Sequence, residues 1–374
     1  MLERFKVPLE DEVRVDHESL QKTVVAIFEK MGVEHDDAVE GANCLVSTDL
    51  RGVETHGVSN MLRIYVDMFN KGQLSARPDW KIVKEFPGTA TIDADRGLAV
   101  ILGPKAMRLA IEKARRVGVG VVTMFNAGHS GAIGHHAMLA AEADMVGMTA
   151  TAGGKRVLPT FGAEPRLGTN PIAIAAPARS QPYLLFDAAT SAVAGNKLAL
   201  ASRVDANMLP GWIAERDGSP IMEETSIPRG YNREQGEEWL RNHYQLPLGG
   251  TREQGSHKGY GFGLMVEVLA TSLTGVTPSM LDSSHSIAGN HYFCAYNIEA
   301  FTDLETFKDN MDKMLQMLKD TKPASGHERV LYPGLSEYEE EKDRRANGIP
   351  LHKEVIEWFD FISKELTVPA LKTI

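Results

Sequence analysis

Val58, Met61, Leu62, Tyr65, Val66 and Phe69 recur at three- and four-residue intervals through "VETHGVSNMLRIYVDMFNKGQ", the spacing that gathers side chains on one face of a helix. The same period predicts two helices before it, separated at Gly32, and another through "PKAMRLAIEKARRVG", stopped by Gly118 and Gly120. It also predicts a helix from Ile133 through "IGHHAMLAAEADMVG", a core helix in "GYGFGLMVEVLATSLTG" and a long surface helix, after a short strand, in "YNIEAFTDLETFKDNMDKMLQMLKD". A terminal helix, "PLHKEVIEWFDFISKEL", carries an apolar seam suited to packing back on the first helices. Alternation in "KIVKEFPGTATIDAD" predicts strands or a hairpin. Compact apolar runs in "GVVTMF", "VGMTAT", "RLGTNPIAIAAPA" and "QPYLLFDAATSAVAGNK" predict buried strands. Between Arg203 and Gly255, "DGSP", "IPRG", "NREQGEE" and "PLGGTREQG" read as turns and exposed connections.

This order puts the glycine- and histidine-rich stretch "NAGHSGAIGHH" at the end of a strand and the start of a helix, a position where mixed folds place reactive side chains. His129 falls in the turn, and His135 and His136 in the first helical turns. An imidazole titrates near neutrality, so His129 is a candidate acid-base group; metal binding and a polar structural role are the other readings of the cluster. No H-x-x-H or H-E-x-x-H unit occurs there, and His135 and His136 sit one residue apart on the helix rather than on one face. His56 is a second candidate, at the start of a helix that carries Asn60 and Arg63 at i+4 and i+7. An arginine there suits a carboxylate, and an asparagine can orient its oxygens. "AGGKR", with Gly153, Gly154, Lys155 and Arg156, reads as an anion-binding turn or a simple polar one. Asp187 follows "YLLF", where it binds a cofactor hydroxyl or caps the helix of "AATSAVAGNK".

Composition narrows the class. The chain has 374 residues, enough for more than one structural unit, and 43% hydrophobic with 24% charged residues describe an ordinary globular protein. Forty basic against fifty acidic residues, a net charge of -10 with no basic stripe, argue against a nucleic-acid partner. The acidic run "EYEEEKDRR" reads as a solvated helical surface. Two cysteines, Cys44 and Cys294, are too few for a disulfide scaffold or a four-ligand metal site. A charged N-terminus and the lack of a membrane-length apolar run make no membrane partner and cytoplasmic residence the expectation. There is no repeat and no G-x-G-x-x-G fingerprint; "GVG" at Gly118 to Gly120 precedes its strand instead of following it.

Taken in order, "DLRGVETHGVSN", "NAGHSGAIG", "RLGTNPIAIAAP", "FDAATSAVAGNK" and "HKGYGFGLMVEVL" resemble the type-2 malate/L-lactate dehydrogenase family, whose relatives include ureidoglycolate, sulfolactate and diketogulonate oxidoreductases. The resemblance runs on to "YPGLSEYEEEKDRRANGIPL" and so covers nearly the whole chain. It implies a mixed α/β (α+β) fold: a non-Rossmann dinucleotide-binding domain with a largely antiparallel sheet, plus a helical lobe completed by the C-terminus. It implies NAD- or NADP-dependent hydride transfer between a small 2-hydroxy acid, malate, lactate or a related carboxylate, and its 2-oxo acid, with NAD favoured. It implies a homodimer with active sites near lobe and subunit boundaries. His129 matches the family acid-base histidine, and His56 the histidine of the early "THG" motif, which orients substrate or assists proton traffic. Gly168, Thr169, Asn170 and Pro171, then Asp187, Ala188, Ala189 and Thr190, then His257, Lys258 and Gly259 match regions near the cofactor, with Lys258 suited to its phosphate charge.

Three positions depart from the pattern. Asn60 stands where many relatives carry arginine, which leaves Arg63, aided by Asn60, as the expected carboxylate anchor; Ala152 replaces a frequent asparagine, and Leu335 a frequent glutamate. The expected division is a mostly helical region 1–80, a catalytic α/β region 81–320 with a small subdomain around 203–255, and a returning region 321–374. A metal-dependent hydrolase using His129 with remote ligands, and a non-catalytic dinucleotide-responsive binding protein, are the alternative functions.

Overall fold

The computed structural model describes residues 3–227, 242–281 and 289–374, and the turns expected within 228–241 lie outside these. A short strand β1 (Glu12–Val15) leads into α1 (His17–Lys30), which opens where the Asp16 carboxylate accepts the Ser19 amide. Gly32, at φ 94°, turns the chain into α2 (His35–Leu50), and α3 (Val58–Asn70) follows. The chain then runs β2 (Lys81–Phe86), β3 (Thr89–Asp93), α4 (Ala99–Val117), β4 (Val119–Ala127), α5 (Gly134–Glu142), β5 (Met145–Ala152), β6 (Ile172–Ala176) and β7 (Leu184–Ala188). After α6 (Gly195–Arg203) come the small antiparallel pair β8 (Ile213–Glu215) and β9 (His243–Gln245) and α7 (Ser256–Val266), which continues as a π-helical turn, Glu267–Thr271. The last elements are β10 (Gly289–Asn297), α8 (Leu304–Lys319), α9 (Leu335–Asn347), β11 (Ile349–His352) and α10 (Lys353–Leu366).

Seven strands form one sheet in the order β2-β3-β4-β10-β5-β6-β7, with β3 and β4 its parallel pair and the other neighbours antiparallel. The fold is therefore the mixed, largely antiparallel one expected. Helices α4 and α5 lie on one face, and two glycines let them sit directly on it. A Cβ on Gly120 would stand 1.9 Å from Ala110 O, and one on Gly147 2.2 Å from Ala137 O. The π-helical continuation of α7 covers the other face, where Val266 and Ala270 meet Ala150, Tyr292 and Cys294.

The helical lobe shares one core with this sheet, and the C-terminus returns to it. β11 pairs antiparallel with β1, and Phe359 and Ile362 of α10 join Leu20 and Val24 of α1 in that core. Two expectations need correction. Helix α4 begins at Ala99 rather than Pro104, because Ala99 to Gly103 are all buried and their packing outweighs the proline penalty inside the helix. The charged helix α9 is not wholly a solvated surface, since Arg344 is buried against the first helices.

Candidate active site

Strand β4 leaves the sheet at Ala127, and Gly128 to Ile133 cross to α5. Two buried imidazoles hold that crossing. A carbonyl only accepts, so His291 Nε2 donates to Gly128 O at 3.1 Å and His136 Nε2 donates to Ser130 O at 3.0 Å. The residues flanking His129 are thus pinned, one from β10 and the other from α5. With its proton on Nε2, His291 presents Nδ1 to Thr151 Oγ1 at 2.9 Å, and Thr151 meets Ser130 Oγ at 3.0 Å. Gly103 of α4 makes room for His136: a Cβ there would lie 2.7 Å from the ring. His135 turns elsewhere, its Nδ1 3.0 Å from Ser47 Oγ. The three histidines of the loop therefore have three separate settings. Among the described residues, no three His, Cys, Asp or Glu side chains gather as a metal-holding group.

His129 itself is tied at Nδ1. The Gly131 amide donates to that atom at 3.1 Å, and the Tyr65 hydroxyl lies 2.7 Å from it. Because an amide can only donate, Nδ1 is the acceptor and Nε2 carries the neutral ring's proton. The His56 ring stacks on His129 with centroids 5.6 Å apart and planes 17° from parallel, and its own Nδ1 is 2.8 Å from Thr55 Oγ1. Burial, and then the neighbouring His56 and His291, push His129 down to about 3; burial pushes His56 down to about 4. Both rings are neutral at pH 7, the state a proton acceptor requires.

The turn bearing His56 is held from two sides. Asp49 Oδ2 accepts the Val58 amide at 2.6 Å, opening α3, and Gly57 is required there because a Cβ would stand 2.1 Å from Asp49 Oδ1. From α9, Arg344 donates through Nη1 to Asp49 O and through Nη2 to Glu54 Oε1, both at 2.8 Å, and through Nε to Glu340 Oε2 at 3.1 Å. Burial raises the Glu54 carboxyl and Arg344 opposes that rise; burial, with Glu54 beside it, pushes Asp49 up to about 8.

A cavity of about 480 Å³ opens beside this turn, within the range of small-molecule sites. His56, Gly131, Thr169, Asp187, Lys197 and Arg344 are on its wall; His129 stands behind His56. Ala132, Ala188, Ala189 and Ala192 leave stretches of wall with short side chains, where a flat or phosphorylated ligand can approach the backbone closely. The residues thus fit a dinucleotide. Asp187 Oδ2 accepts the Gly134 amide at 2.7 Å, so it caps α5 rather than the helix of "AATSAVAGNK", and the α5 N-terminus already holds a carboxylate.

The other expected residues divide between wall and support. Thr169, Pro171, Ala188 and Ala189 line the cavity. Asn170 is buried, donates to Gly263 O at 3.1 Å and Glu267 Oε1 at 3.0 Å, and so ties the turn before β6 to α7. Thr190 donates to Thr169 O, while Gly168 and Gly259 permit backbone contacts with Gly153 and Leu248 that a Cβ would block. His257 and Lys258 are exposed in the first turn of α7, away from the wall. Arg63 is exposed and also off the wall; Asn60 is buried, accepting from Arg203 Nη1 at 2.7 Å and donating to Asn196 O at 3.2 Å. Sequence reasoning missed Tyr65 as a polar partner, because its helical spacing marks it as core. It also missed His291 and Thr151, which lie outside the family motifs, and Asp49, Glu54, Lys197 and Arg344, which lie inside them but whose contacts are made between elements distant in the chain.

The malate/L-lactate dehydrogenase family model matches residues 15–360. The chain is 38% identical to a malate dehydrogenase of Pyrococcus abyssi over 97% of its own length and 98% of the relative's. It is 35% identical to an L-sulfolactate dehydrogenase of Methanocaldococcus jannaschii over 93% and 96%. Its fold superposes on malate dehydrogenase from Pyrococcus horikoshii OT3 with a TM-score of 0.86 at 35% identity, covering 98% of this chain and 99% of that one. For malate dehydrogenase from Entamoeba histolytica the TM-score is 0.89 at 30% identity, with 96% and 99% covered.

Proposed function

The chain belongs to the malate/L-lactate dehydrogenase family, and from that premise we propose that His129, with His56 stacked on it, moves the proton of the reaction. The reaction is the NAD(P)-dependent interconversion of a small 2-hydroxy acid and its 2-oxo acid, which sets aside the hydrolase and the non-catalytic binding protein. When bound, the nicotinamide supplies or accepts the hydride at substrate C2. The chain's own part is the proton. In oxidation His129 receives the hydroxyl proton at Nε2, which requires the other tautomer, with the ring's own proton on Nδ1 toward the Tyr65 hydroxyl, and in reduction the imidazolium returns the Nε2 proton to the carbonyl oxygen, while His56 on the wall orients the substrate or passes the proton inward. The observation that carries this reading is the neutral imidazole pair, His56 on the cavity wall and His129 stacked on it with its ring fixed at Nδ1.

Malate is the proposed substrate, on the strength of the malate dehydrogenase relatives, and NAD the proposed cofactor, since one relative 27% identical to this chain is a ureidoglycolate dehydrogenase (NAD(+)) of Escherichia coli. The proposed assembly is a homodimer. Its support is the exposed apolar side chains Phe262, Met265 and Val268 on and just after α7, and Ile174 and Phe186, paired across β6 and β7.

Deuterated nicotinamide tests the chemistry: its deuterium should appear at C2 of the hydroxy acid formed from oxaloacetate or another 2-oxo acid. His129→Asn should slow single-turnover reduction by roughly 10²-fold to 10⁴-fold with nucleotide binding intact, and His56→Asn by less. Near-normal transfer in His129→Asn with the loss in His56→Asn instead would move the proton-transfer role to His56. Tighter binding of NADPH than NADH at matched salt would overturn the cofactor assignment.

A further inference from the structure

The cavity wall carries a cation that no described carboxylate pairs. Four basic residues reach the wall: Lys6, Arg51, Lys197 and Arg344. Arg344 is committed to Glu54 and Glu340, and Arg51 to Glu341 at 3.1 Å. Lys6 also has an interaction partner. Lys197, in the first turn of α6, is half-buried with its ammonium 4.4 Å over the Phe5 ring, and no described carboxylate lies within ion-pair distance of it. Glu54 is near enough to be felt, but Arg344 already holds it at 2.8 Å. Burial therefore pushes Lys197 down to about 8 with only partial opposition from Glu54. A partly desolvated ammonium of this kind gains most from an anionic ligand.

The expected anchor does not occupy this place. Arg63 is exposed and off the wall, and the Asn60 amide is spent on Arg203 and Asn196. Lys197 shares the wall with His56, so an anion held by its ammonium lies in the same chamber as the imidazole on which His129 is stacked. We propose that Lys197 receives the carboxylate of the 2-oxo or 2-hydroxy acid and so takes the anchoring role expected of Arg63. This assignment rests on the oxidoreductase reading for the identity of the ligand, and its test reads binding rather than turnover.

The probe is oxamate, an unreactive 2-oxo acid analogue, titrated calorimetrically into enzyme saturated with NADH, with the uncharged pyruvamide alongside. Lys197→Gln should weaken oxamate binding by roughly 10-fold to 150-fold, as expected for loss of a hydrogen bond to a charged group. NADH and pyruvamide affinities should stay near wild type, and Lys197→Arg should restore most of the oxamate affinity. In the wild type, oxamate should slow acetylation of Lys197 by acetic anhydride, read by mass spectrometry, a measurement that needs no variant to fold. Unchanged oxamate affinity in Lys197→Gln, an equal loss of NADH affinity, no protection from acetylation, or a loss confined to Arg63→Gln would each overturn the assignment. If oxamate binds through Lys197 but wild-type enzyme transfers no deuterium to any 2-oxo acid, the failure belongs to the oxidoreductase reading alone.

Discussion

His129 and His56 are neutral in the folded protein because the site withholds the water that would solvate an imidazolium, and this sets the acid limb of the reaction. Their protonation is displaced from the ordinary 6.5 to about 3 and about 4, so falling pH abolishes the proton-accepting form only after passing well below 6.5. The profile of kcat/KM for hydroxy-acid oxidation, which reports the free enzyme's base, should therefore show no histidine limb between pH 7 and pH 5, where the wall carboxylate Asp187, pushed up to about 6 by burial, titrates instead. A half-maximal point at 6.5 or above would contradict the desolvated setting of both half-buried rings. The choice of residue at 129 and 56 is visible in short motifs, "NAGHSGAIG" and "VETHG". Their acidity is not, because it depends on burial by α3, α5 and β10, elements far apart in the chain.

At the scale of elements, one carboxylate shows how a local rule finds the residue and misses its target. A polar side chain after an apolar strand reads as a helix cap, and Asp187 is one, but it caps α5, fifty-three residues earlier, through the Gly134 amide at 2.7 Å. β7 and α5 meet only because the chain returns along the sheet edge. Asp187→Ala should lower stability by about 0.5–2 kcal/mol, the usual worth of an N-cap, read as a shift in the urea midpoint with an unchanged slope. A stability equal to wild type would mean that the amide finds another acceptor. The same limit explains α4: the period of its apolar positions was readable from Pro104 onward, while its true start at Ala99 is decided by the buried packing of five residues that carry no start signal.

Across the whole molecule, Arg344 joins the last part of the chain to the turn that bears His56. Arg344 and Glu54 are both almost fully buried, 4% and 3% exposed, so neither charge can be left alone without a large desolvation cost. Arg344→Met should destabilise the protein by about 3–5 kcal/mol and lower kcat/KM, because the Asp49 carbonyl and Glu54 lose the donor that holds the 51–57 turn. The Arg344→Met/Glu54→Gln double variant should recover part of the stability, since it also removes the orphaned charge. Additive losses would show that the two side chains act independently.

Periodicity alone determined the helices of the first lobe, the strand-loop-helix-strand frame around His129 and the terminal helix, because each is a short-range pattern of burial. The ordered motifs determined the family, and with it the redox chemistry and a sheet that lacks the usual nucleotide fingerprint. Only the tertiary structure decided that His291 and His136 hold the histidine loop, that "EYEEEKDRR" sends one arginine inward, and that Asn60 is occupied by Arg203. Each of these is a polar contact between elements distant in sequence, except the one from His136. Such contacts are selected by desolvation: a buried imidazole, carboxylate or guanidinium must find a partner wherever the fold brings one, and a linear pattern of residues carries no record of which partner that is.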